Sequence, residues 1–323
     1  MTPDLFRTLV ANAALSPNVH NIQPTRWRQV HAQTLALLAA PDRSLPVGDP
    51  TGRDATASHG AAAEGMIIAA SLYGIALGIS EPERGEVARL SVIGTANADP
   101  LAPYLTRRRT YRGAFDQTRK SEAGHRLATL SHPDIRLITD ETQINLIARL
   151  ADQATLRAFR NRPYRDELTS WMRVTPRHPA WHRDGLNAAA MAMPIPVALA
   201  AGAVLSHPMF DILDALKLAG PLTAEAAATR SASGLVVLFQ DRTAEPFQTG
   251  RDWHRLWLEL TARGLACGVL TILGDDPQAS AQMSRQLDLG KDQRVVTVLR
   301  VGMVDEGRLP SPARLPVHEL ILT

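Results

Sequence analysis

Apolar positions along the chain follow two patterns, a spacing of three or four residues and short uninterrupted runs. The first is typical of helices with one buried face and predicts them over about 3–14, 55–78, 142–160, 186–218, 249–264 and 277–287. The second, bounded by Gly, Pro, Asp or Ser, predicts strands at 35–38, 90–93, 135–138, 234–239 and 295–301. Because these helices and strands do not strictly alternate, the pattern predicts a layered α+β fold.

One part of this pattern occurs twice. A small-residue-rich helix ending at Gly78 is followed by a strand and Gly94. A second long helix ending at Gly268 is followed by a strand and Gly302. A match this faint fits an internal duplication and a chance similarity equally well.

The composition narrows the class of protein. The chain has 323 residues, of which 45% are hydrophobic and 21% charged, so disordered, collagenous and coiled-coil classes are excluded. A single cysteine, Cys267, excludes an intramolecular disulfide and a Cys-rich zinc site. No histidine lies at a metal-ligand spacing, so we expect no metal. The net charge of +3 is scattered along the chain, which argues against nucleic acid as a partner.

One apolar segment, 186–205, has the length of a membrane span. It contains Pro194 and Pro196 and consists mostly of alanine, so a buried or cofactor-covering segment is favoured over a transmembrane helix. The N-terminus has no signal-peptide pattern. Instead, Thr2 before Pro3 is typical of a helix start. We therefore expect a cytoplasmic protein without a membrane partner.

A carboxamide-rich loop follows the first predicted helix. Residues 15–27 contain Asn18, Asn21 and Gln23 beside two prolines. In an extended segment Asn21 and Gln23 would share a face, and their donors and acceptors would suit a planar heterocycle. The alternative is an Asx-type turn that merely connects the helix to the next strand.

A second polar segment, 107–116, carries four arginines and a threonine within six residues. Guanidinium groups match phosphate oxygens in a bidentate manner, so the segment could grip a phosphate. The alternative is a solvated basic surface. Phosphate-loop, dinucleotide-fingerprint, metalloprotease and nucleophile-elbow motifs do not occur in the sequence, and no catalytic side chain is predicted.

These segments resemble motifs of the flavin-dependent nitroreductase family. Residues 16–24 resemble its A-P-S-x-x-N-x-Q-P-W loop, and 108–112 resemble its R-R-[ST]-x-R phosphate-binding segment. Residues 262–275 are similar to its helix and loop beside flavin N5, and 309–316 to its closing segment. The order of the segments resembles the single-chain, Acg-like branch, in which one polypeptide carries two degenerate halves.

The resemblance implies a nitroreductase-like three-layer α/β/α sandwich, built as an intrachain pseudo-dimer. The first half would span 1–100 and the second 101–323, with a lid insertion at about 162–220. Trp171, Met172 and Trp181 precede the apolar part of that lid. Further homodimerisation is left open.

The resemblance also implies an FMN site. Arginines would neutralise the phosphate, while carboxamides and the Leu273 and Gly274 backbone N–H groups would satisfy the ring. The residues carried over from the family motifs are Pro17, Asn18, Val19, Asn21, Gln23, Arg108, Arg109, Thr110, Arg112, Ile272, Leu273, Gly274 and Arg314.

The implied activity is that of an FMN-dependent oxidoreductase. Hydride would pass from NADH or NADPH through flavin N5 to a nitroaromatic, quinone or similar small-molecule acceptor. Thr25 stands where the family usually has Trp, and Leu273 where it commonly has an acid, which leaves the substrate preference open. The alternative is an FMN-storing or sequestering protein with little reductase activity, in which the apolar segment closes over the flavin.

Overall fold

The computed structural model describes residues 1–322 and has the predicted α+β fold, with two four-stranded sheets surrounded by helices. The helices are α1 Pro3–Ala13, α2 Arg53–Ser71, α3 Lys120–Ala128, α4 Glu141–Arg160, α5 Arg162–Ser170, α6 Ile195–Leu205, α7 Met209–Ala215, α8 Ala219–Thr223, α9 Ala226–Arg230, α10 Pro246–Ala262, α11 Ile272–Asp275, α12 Pro277–Gln286 and α13 Val317–Leu320. The strands are β1 Thr25–His31, β2 Thr34–Ala39, β3 Ile75–Ser80, β4 Ala88–Thr95, β5 Ile135–Ile138, β6 Met172–Arg173, β7 Leu186–Asn187, β8 Gly234–Asp241, β9 Ala266–Val269 and β10 Gln293–Gly302.

The two large sheets have the same connectivity. The first has the strand order β1-β2-β4-β3 and the second β5-β8-β10-β9, and all neighbours in both are antiparallel. In each sheet a long helix, α2 or α10, links the second strand to the third along the chain. The repetition noticed in the sequence falls on these two helices and the strands that follow them.

Helices lie on both faces of the second sheet. Successive residues of a strand point to opposite faces, and in β8 the even and odd positions are both apolar. Leu235 and Val237 pack in the cluster formed with α4 and α12. Val236 and Leu238 pack in the cluster formed with α3 and α10. This part of the chain is therefore a three-layer α/β/α sandwich, while the first sheet packs against α1, α2 and α10.

Helices α2 and α10 cross at two glycines. A Cβ on Gly60 would overlap the carbonyl oxygen of Phe247, and a Cβ on Gly250 would overlap that of Ala57. The contact is reciprocal, because each glycine faces the residue three positions before the other. Glu64 of α2 adds an ion pair with Arg251 at 2.8 Å. Because neither glycine has a side chain, the backbones of the two helices can contact each other at the crossing.

Most predicted helices and strands agree with the structure to within a few residues, and Thr2 caps α1 by accepting a hydrogen bond from the Leu5 N–H at 3.3 Å. Two predicted helices were wrong. The helix over 55–78 ends at Ser71, because the chain turns at Gly74 with a φ of +71° and continues as β3. The helix over 186–218 is interrupted, since prolines end or begin its pieces, and only 195–205 and 209–215 within it are helical.

The segment carrying α6 to α8 lies at the surface. Seven of its large apolar side chains are at least 45% exposed, and these are Val197, Leu199, Met209, Ile212, Leu216, Leu218 and Leu222. Phe210 is buried against Phe159 and the Arg165 guanidinium, and this anchors α7. Within the described residues no single helix is long and apolar enough to cross a membrane, although the bent pair α6 and α7 passes that test on length and composition together.

Candidate functional site

A cavity of about 340 Å³ lies where the N-terminal loop, the arginine segment and the C-terminal segment meet α2 and α10. Its volume falls within the roughly 300–1,000 Å³ of small-molecule sites. The predicted site residues that line it are Pro17, Asn18, Val19, Asn21, Arg108, Arg109, Thr110, Arg112 and Arg314. The predicted residues that do not line it are Gln23, Ile272, Leu273 and Gly274.

The N-terminal loop is a tight turn, so the prediction of an extended segment was wrong. His20, Asn21 and Gln23 all have φ values between +45° and +56°. Such a left-handed backbone is unusual outside glycine and requires support from its surroundings. Asn21 provides part of it, because its Nδ2 donates to the carbonyls of Gly185 at 3.2 Å and Ala313 at 3.1 Å.

Gln23 lies behind the cavity wall rather than in it. Its Nε2 donates to the Arg183 carbonyl at 2.8 Å, and its Oε1 accepts from the Leu315 N–H at 2.9 Å. The Asn18 Oδ1 accepts from the Gln23 N–H at 2.9 Å. These carboxamides therefore hold the loop against the segments that follow α5 and precede α13. Some of these side chains therefore stabilise the turn, as the Asx-turn alternative predicts, while Asn18 and Asn21 also line the cavity, as the binding hypothesis predicts.

Four guanidinium groups line the cavity without carboxylate partners. Within residues 1–322, Arg108, Arg109, Arg112 and Arg314 form no salt bridge with an Asp or Glu. The hydrogen bonds that they donate go to backbone carbonyls and, for Arg314, also to Asn21. A cavity with this much uncompensated positive charge favours an anion.

Arg108 carries the clearest sign of a missing partner. Its side chain is 4% exposed, and its Nη2 donates to the Leu15 carbonyl at 2.8 Å. Its Nε and Nη1 are buried and have no hydrogen-bond partner among the described residues. Burial, followed by the charges of Arg314 and Arg109, lowers the pKa of Arg108 to about 9. The group is still charged at neutral pH, so an anion would remove an energetic penalty.

Arg314 and Arg112 join distant segments at the same cavity. Arg314 donates to the Ala14 carbonyl at 2.6 Å and to the Asn21 Oδ1 at 2.8 Å. Burial, and then the charge of Arg109, lowers the pKa of Arg314 to about 10. Arg112 donates to the Ala190 carbonyl at 2.9 Å, and its pKa is lowered mainly by burial.

The Leu273 and Gly274 amides do not have the predicted role. The Leu273 N–H donates to the Leu270 carbonyl at 3.3 Å, and the Gly274 N–H donates to the Thr271 carbonyl at 2.8 Å. The side chain of Leu273 is fully buried. Both N–H groups are used because the chain turns into a short helix, α11, at this point. Thr271 and Asp275, on either side of the predicted residues, line the cavity instead.

The aromatic wall of the cavity was missed by sequence reasoning. Thr249, Trp253 and Trp257 of α10 all line it, and the Arg108 guanidinium lies 4.6 Å from the centroid of the Trp257 ring. Their spacing of four residues puts them on one helix face, about 12 Å long at 1.5 Å per residue. That spacing was a visible signal, although nothing local showed which partner the face would meet.

Two acids lie at the other end of this wall, and they were also missed. Asp54 and Asp275 line the cavity, and Ala57, one turn after Asp54, contacts Gly250 beside Thr249. Arg53 donates to both carboxylates, at 3.4 Å to Asp54 and 2.7 Å to Asp275. Burial, and then the charge of Asp54, raises the pKa of Asp275 to about 7, and burial also raises that of Asp54. The cavity therefore has guanidinium groups at one end and carboxyl groups at the other.

His20 adds a neutral polar ring to the lining. Burial, followed by the charge of Arg112, lowers its pKa to about 4, so the imidazole is uncharged at neutral pH. The cavity can thus hold a flat, anionic molecule, with its anion near Trp257 and its other end near the carboxyl groups.

Comparison with known proteins gives the following similarities. No protein-family model matches the chain. Two Mycobacterium tuberculosis proteins, named "Putative NAD(P)H nitroreductase" in strains H37Rv and CDC 1551, are each 29% identical to it over 284 residues. The matched region covers 83% of this chain and 76% of each relative.

Solved structures give weaker similarities. One is an FMN- and NADPH-dependent nitroreductase from sphigopyxis sp. strain HMH, at 18% identity and a TM-score of 0.37 over 70% of this chain and 99% of that one. Another is an FMN-dependent nitroreductase from Mycobacterium smegmatis in complex with NADPH, at 14% identity and a TM-score of 0.34 over 64% of this chain and 87% of that one. TM-scores this low carry no argument.

The relatives, in contrast, match most of the chain and carry the name that the motifs predicted. Membership of the twin-half, Acg-like branch stays a prediction. The chain is a homologue of proteins named as NAD(P)H nitroreductases, which confirms its resemblance to the nitroreductase family.

Proposed function

We propose that the chain is an FMN-dependent oxidoreductase that takes electrons from NADH or NADPH and reduces a small organic acceptor. One observation carries the proposal. Four arginines that form no salt bridge with an Asp or Glu among the described residues line a single cavity, and one wall of that cavity is aromatic. The names of the relatives support the same activity.

The residues present fit FMN. The buried Nε and Nη1 of Arg108 lack hydrogen-bond partners, and phosphate oxygens are acceptors that match them. Arg109, Arg112 and Arg314 would share the charge of the phosphate, while Thr110 offers a further hydroxyl at the same place. Trp253, one turn before Trp257 on α10 and nearer the acid end, offers apolar surface for the ring system.

In this proposal the protein contributes binding, orientation and exclusion of water. Bound FMN would supply two-electron chemistry, accepting hydride at N5 from a nicotinamide and passing it to a quinone, nitroaromatic or similar acceptor. The loop at 15–24 holds one side of the cavity through Asn21. Gly185, Leu186 and Ala190 form part of another side, where Arg112 donates to the Ala190 carbonyl.

The site would be composite, built from two halves of one chain. The proposed halves are 1–100 and 101–323, with the lid insertion at about 162–220. The shared strand order of the two sheets supports this division, as does the reciprocal contact of Gly60 and Gly250. The first half would supply Pro17, Asn18, Val19 and Asn21, and the second would supply the arginines.

The experiment is to purify wild-type protein and the variants Arg108→Ala and Arg314→Ala, and to record their visible absorption spectra. Wild-type protein is expected to be yellow, and both variants should lose FMN during purification or on dialysis. Arg107→Ala is the matched control, because this exposed neighbour pairs with Glu306 rather than lining the cavity. Full FMN retention in both variants would contradict the phosphate assignment.

Anaerobic addition of NADH or NADPH then separates an enzyme from a flavin-storing protein. An oxidoreductase should bleach within the time of mixing and recover its colour when a quinone is added. A protein that stays yellow with either nicotinamide would instead store or sequester FMN. Wild-type protein that is colourless and does not take up added FMN would contradict both functions.

A further inference from the structure

The acid pair at the far end of the cavity has no part in binding FMN phosphate. Asp54, in the first turn of α2, and Asp275, at the end of α11, come from different parts of the chain and share Arg53. Their side chains are 22% and 28% exposed, so neither is sealed from the cavity that both line. The Arg108 guanidinium, whose buried Nε and Nη1 lack partners, lies at the opposite end of the same cavity, where the phosphate is proposed to bind.

The charges around the pair favour a retained proton. Arg53 faces both acids, and Arg294 of β10 faces them from the second sheet without a salt bridge to either among the described residues. Three acidic groups, Asp49, Asp54 and Asp275, lie near these two cations. Three carboxylates around two guanidinium groups in a partly buried site repel one another, so one carboxyl group holds its proton near neutral pH.

Helix α5 adds two further groups to this surrounding. The pKa of Tyr164 is raised to about 12 by burial and then by the charges of Asp275, Glu167 and Asp54, so its hydroxyl is protonated. The Glu167 carboxylate accepts from the backbone N–H groups of Val47 and Gly48, at 2.9 Å and 2.7 Å. Neither group is positively charged, so neither stabilises the ionised form of Asp275.

We propose that Asp275, coupled to Asp54 through Arg53, is the proton donor for a quinone acceptor in the reaction inferred above. Reduction of a quinone by NAD(P)H needs one proton besides the hydride. The nicotinamide C–H bond breaks, and its hydrogen and electron pair reach the quinone. One further O–H bond forms with the proton of Asp275, and the resulting carboxylate regains a proton from solvent water. The products are a hydroquinone and NAD(P)⁺.

This inference rests on the proposed function but makes a separate prediction. Transfer of hydride from NADPH to the protein needs no proton donor, whereas formation of the hydroquinone does. Asp275→Asn should therefore lower the rate of reoxidation far more than the rate of anaerobic bleaching by NADPH. The rate of reoxidation by menadione should fall about 100-fold, the usual size of a general-acid contribution. Asp275→Glu should recover part of that rate.

A second measurement observes the proton without any turnover. Wild-type protein at about pH 6 should show the infrared carbonyl stretch of a protonated carboxyl group, which disappears by about pH 8. Asp275→Asn should lack that band. Asp288→Asn is the matched control, since Asp288 is exposed and its φ of +50° suits asparagine.

The outcomes separate the two proposals. The proton-donor role would be overturned if Asp275→Asn were reoxidised as fast as the wild type. It would also be overturned if the infrared spectrum of the wild type lacked the titrating band. In either case, bleaching by NADPH would still support the reductase. Failure of wild-type protein to bind FMN or to bleach would overturn the reductase and the donor role with it, even where the band shows that the acid pair holds a proton.

Discussion

The Oδ1 of Asn21 accepts a hydrogen bond from the Nη1 of Arg314 at 2.8 Å, across 293 positions of sequence. The Nδ2 of the same carboxamide donates to the carbonyls of Gly185 and Ala313. One side chain thus links the N-terminal loop, the segment before β7 and the C-terminal segment. It also fixes the guanidinium group of Arg314 at the cavity.

Replacement of Asn21 by alanine should weaken the fold and the FMN site together. Each lost hydrogen bond is worth about 0.5–1.5 kcal/mol, and the bond to a charged group more, so the free energy of unfolding should fall by about 1–3 kcal/mol. FMN affinity should fall because Arg314 loses a partner that orients it. Urea unfolding and FMN titration of the apoprotein measure the two effects.

The matched control for this change is Asn12→Ala. The Asn12 side chain donates only to the Thr8 carbonyl one turn earlier in α1, where alanine is the better helix former. Its stability should therefore be unchanged or slightly higher. Equal stability and equal FMN affinity of Asn21→Ala and Asn12→Ala would refute the linking role of Asn21.

The crossing of α2 and α10 predicts a severe effect of a single methyl group. Gly60→Ala and Gly250→Ala each place a Cβ against a backbone carbonyl that cannot move without its helix. Each should therefore cost about 1–3 kcal/mol or more in the free energy of unfolding. Gly124→Ala in α3 is the control, because nothing lies within 4 Å of the new Cβ, and it should stabilise by about 0.4–1 kcal/mol. Thermal unfolding of the three variants distinguishes a glycine-dependent contact from a general glycine effect.

Local chemistry accounts for what could be predicted from the sequence. Thr2 and Pro3 start α1 by interactions within one turn. Arg108, Arg109 and Arg112 are close in sequence, so a single segment brings all three to the cavity, whereas Arg107 of the same run pairs with Glu306 instead. The contribution of Arg314 could be predicted only from the family motif.

The remainder depended on contacts between distant residues. The left-handed turn at His20, Asn21 and Gln23 is held by Gly185, Ala313 and Leu315, so a local reading as extended chain was wrong. The apolar run after Gly74 has helical composition, and its pairing with β4 decides that it is a strand. Asp54 and Asp275 are joined through Arg53, which donates to its neighbour Asp54 and, across 222 positions of sequence, to Asp275, and no spacing in the sequence indicates this contact.

Three histidines whose pKa values are lowered predict loss of stability in acid. Burial is the main cause that lowers the pKa values of His20 and His59 to about 4 and that of His254 to about 3. Between pH about 6.5 and about 4 the unfolded chain takes up protons that the folded chain does not, so the free energy of unfolding falls as the pH falls. The raised pKa of Asp275 acts oppositely, since its contribution is complete below about pH 4 and lost as the pH rises through about 7. Burial raises the pKa of Asp54 as well, so two aspartates oppose the three histidines, and we expect the histidines to dominate.

His254 isolates this effect. Its Nδ1 lies 2.7 Å from the Ala61 carbonyl, so the ring donates there, and the amide of His254→Asn can donate in its place without titrating. At about 1.4 kcal/mol per pKa unit, the wild type should lose about 2 kcal/mol more than this variant between pH 7 and pH 5. Urea unfolding at both pH values measures the difference. His125→Asn, at an exposed position on α3, should behave as the wild type, and an equal loss in all three proteins would rule out the buried imidazole as the cause.

The anchoring of α7 predicts how the surface segment controls access to the cavity. Phe210 is 1% exposed, packs edge-on against Phe159 at 6.4 Å between centroids, and lies under the Arg165 guanidinium at 4.3 Å. Phe210→Ala should lower the free energy that holds this segment to the rest of the protein by about 3–5 kcal/mol. Because few other apolar side chains of α6 to α8 are buried, we expect the segment to detach while the two sheets stay folded.

Detachment would affect the cavity through Gly185, Leu186 and Ala190, which line it shortly before α6. Phe210→Ala should therefore be cleaved faster by a protease within 195–222, keep its FMN through the arginines, and be bleached faster by NADPH. Ile212→Ala is the matched control, since this residue of the same helix is 51% exposed and should alter neither rate. Faster proteolysis with an unchanged rate of bleaching would mean that the segment does not restrict the nicotinamide. A wild-type protein that NADPH cannot bleach, made reactive by Phe210→Ala, would instead identify closure of this segment as the reason for FMN storage.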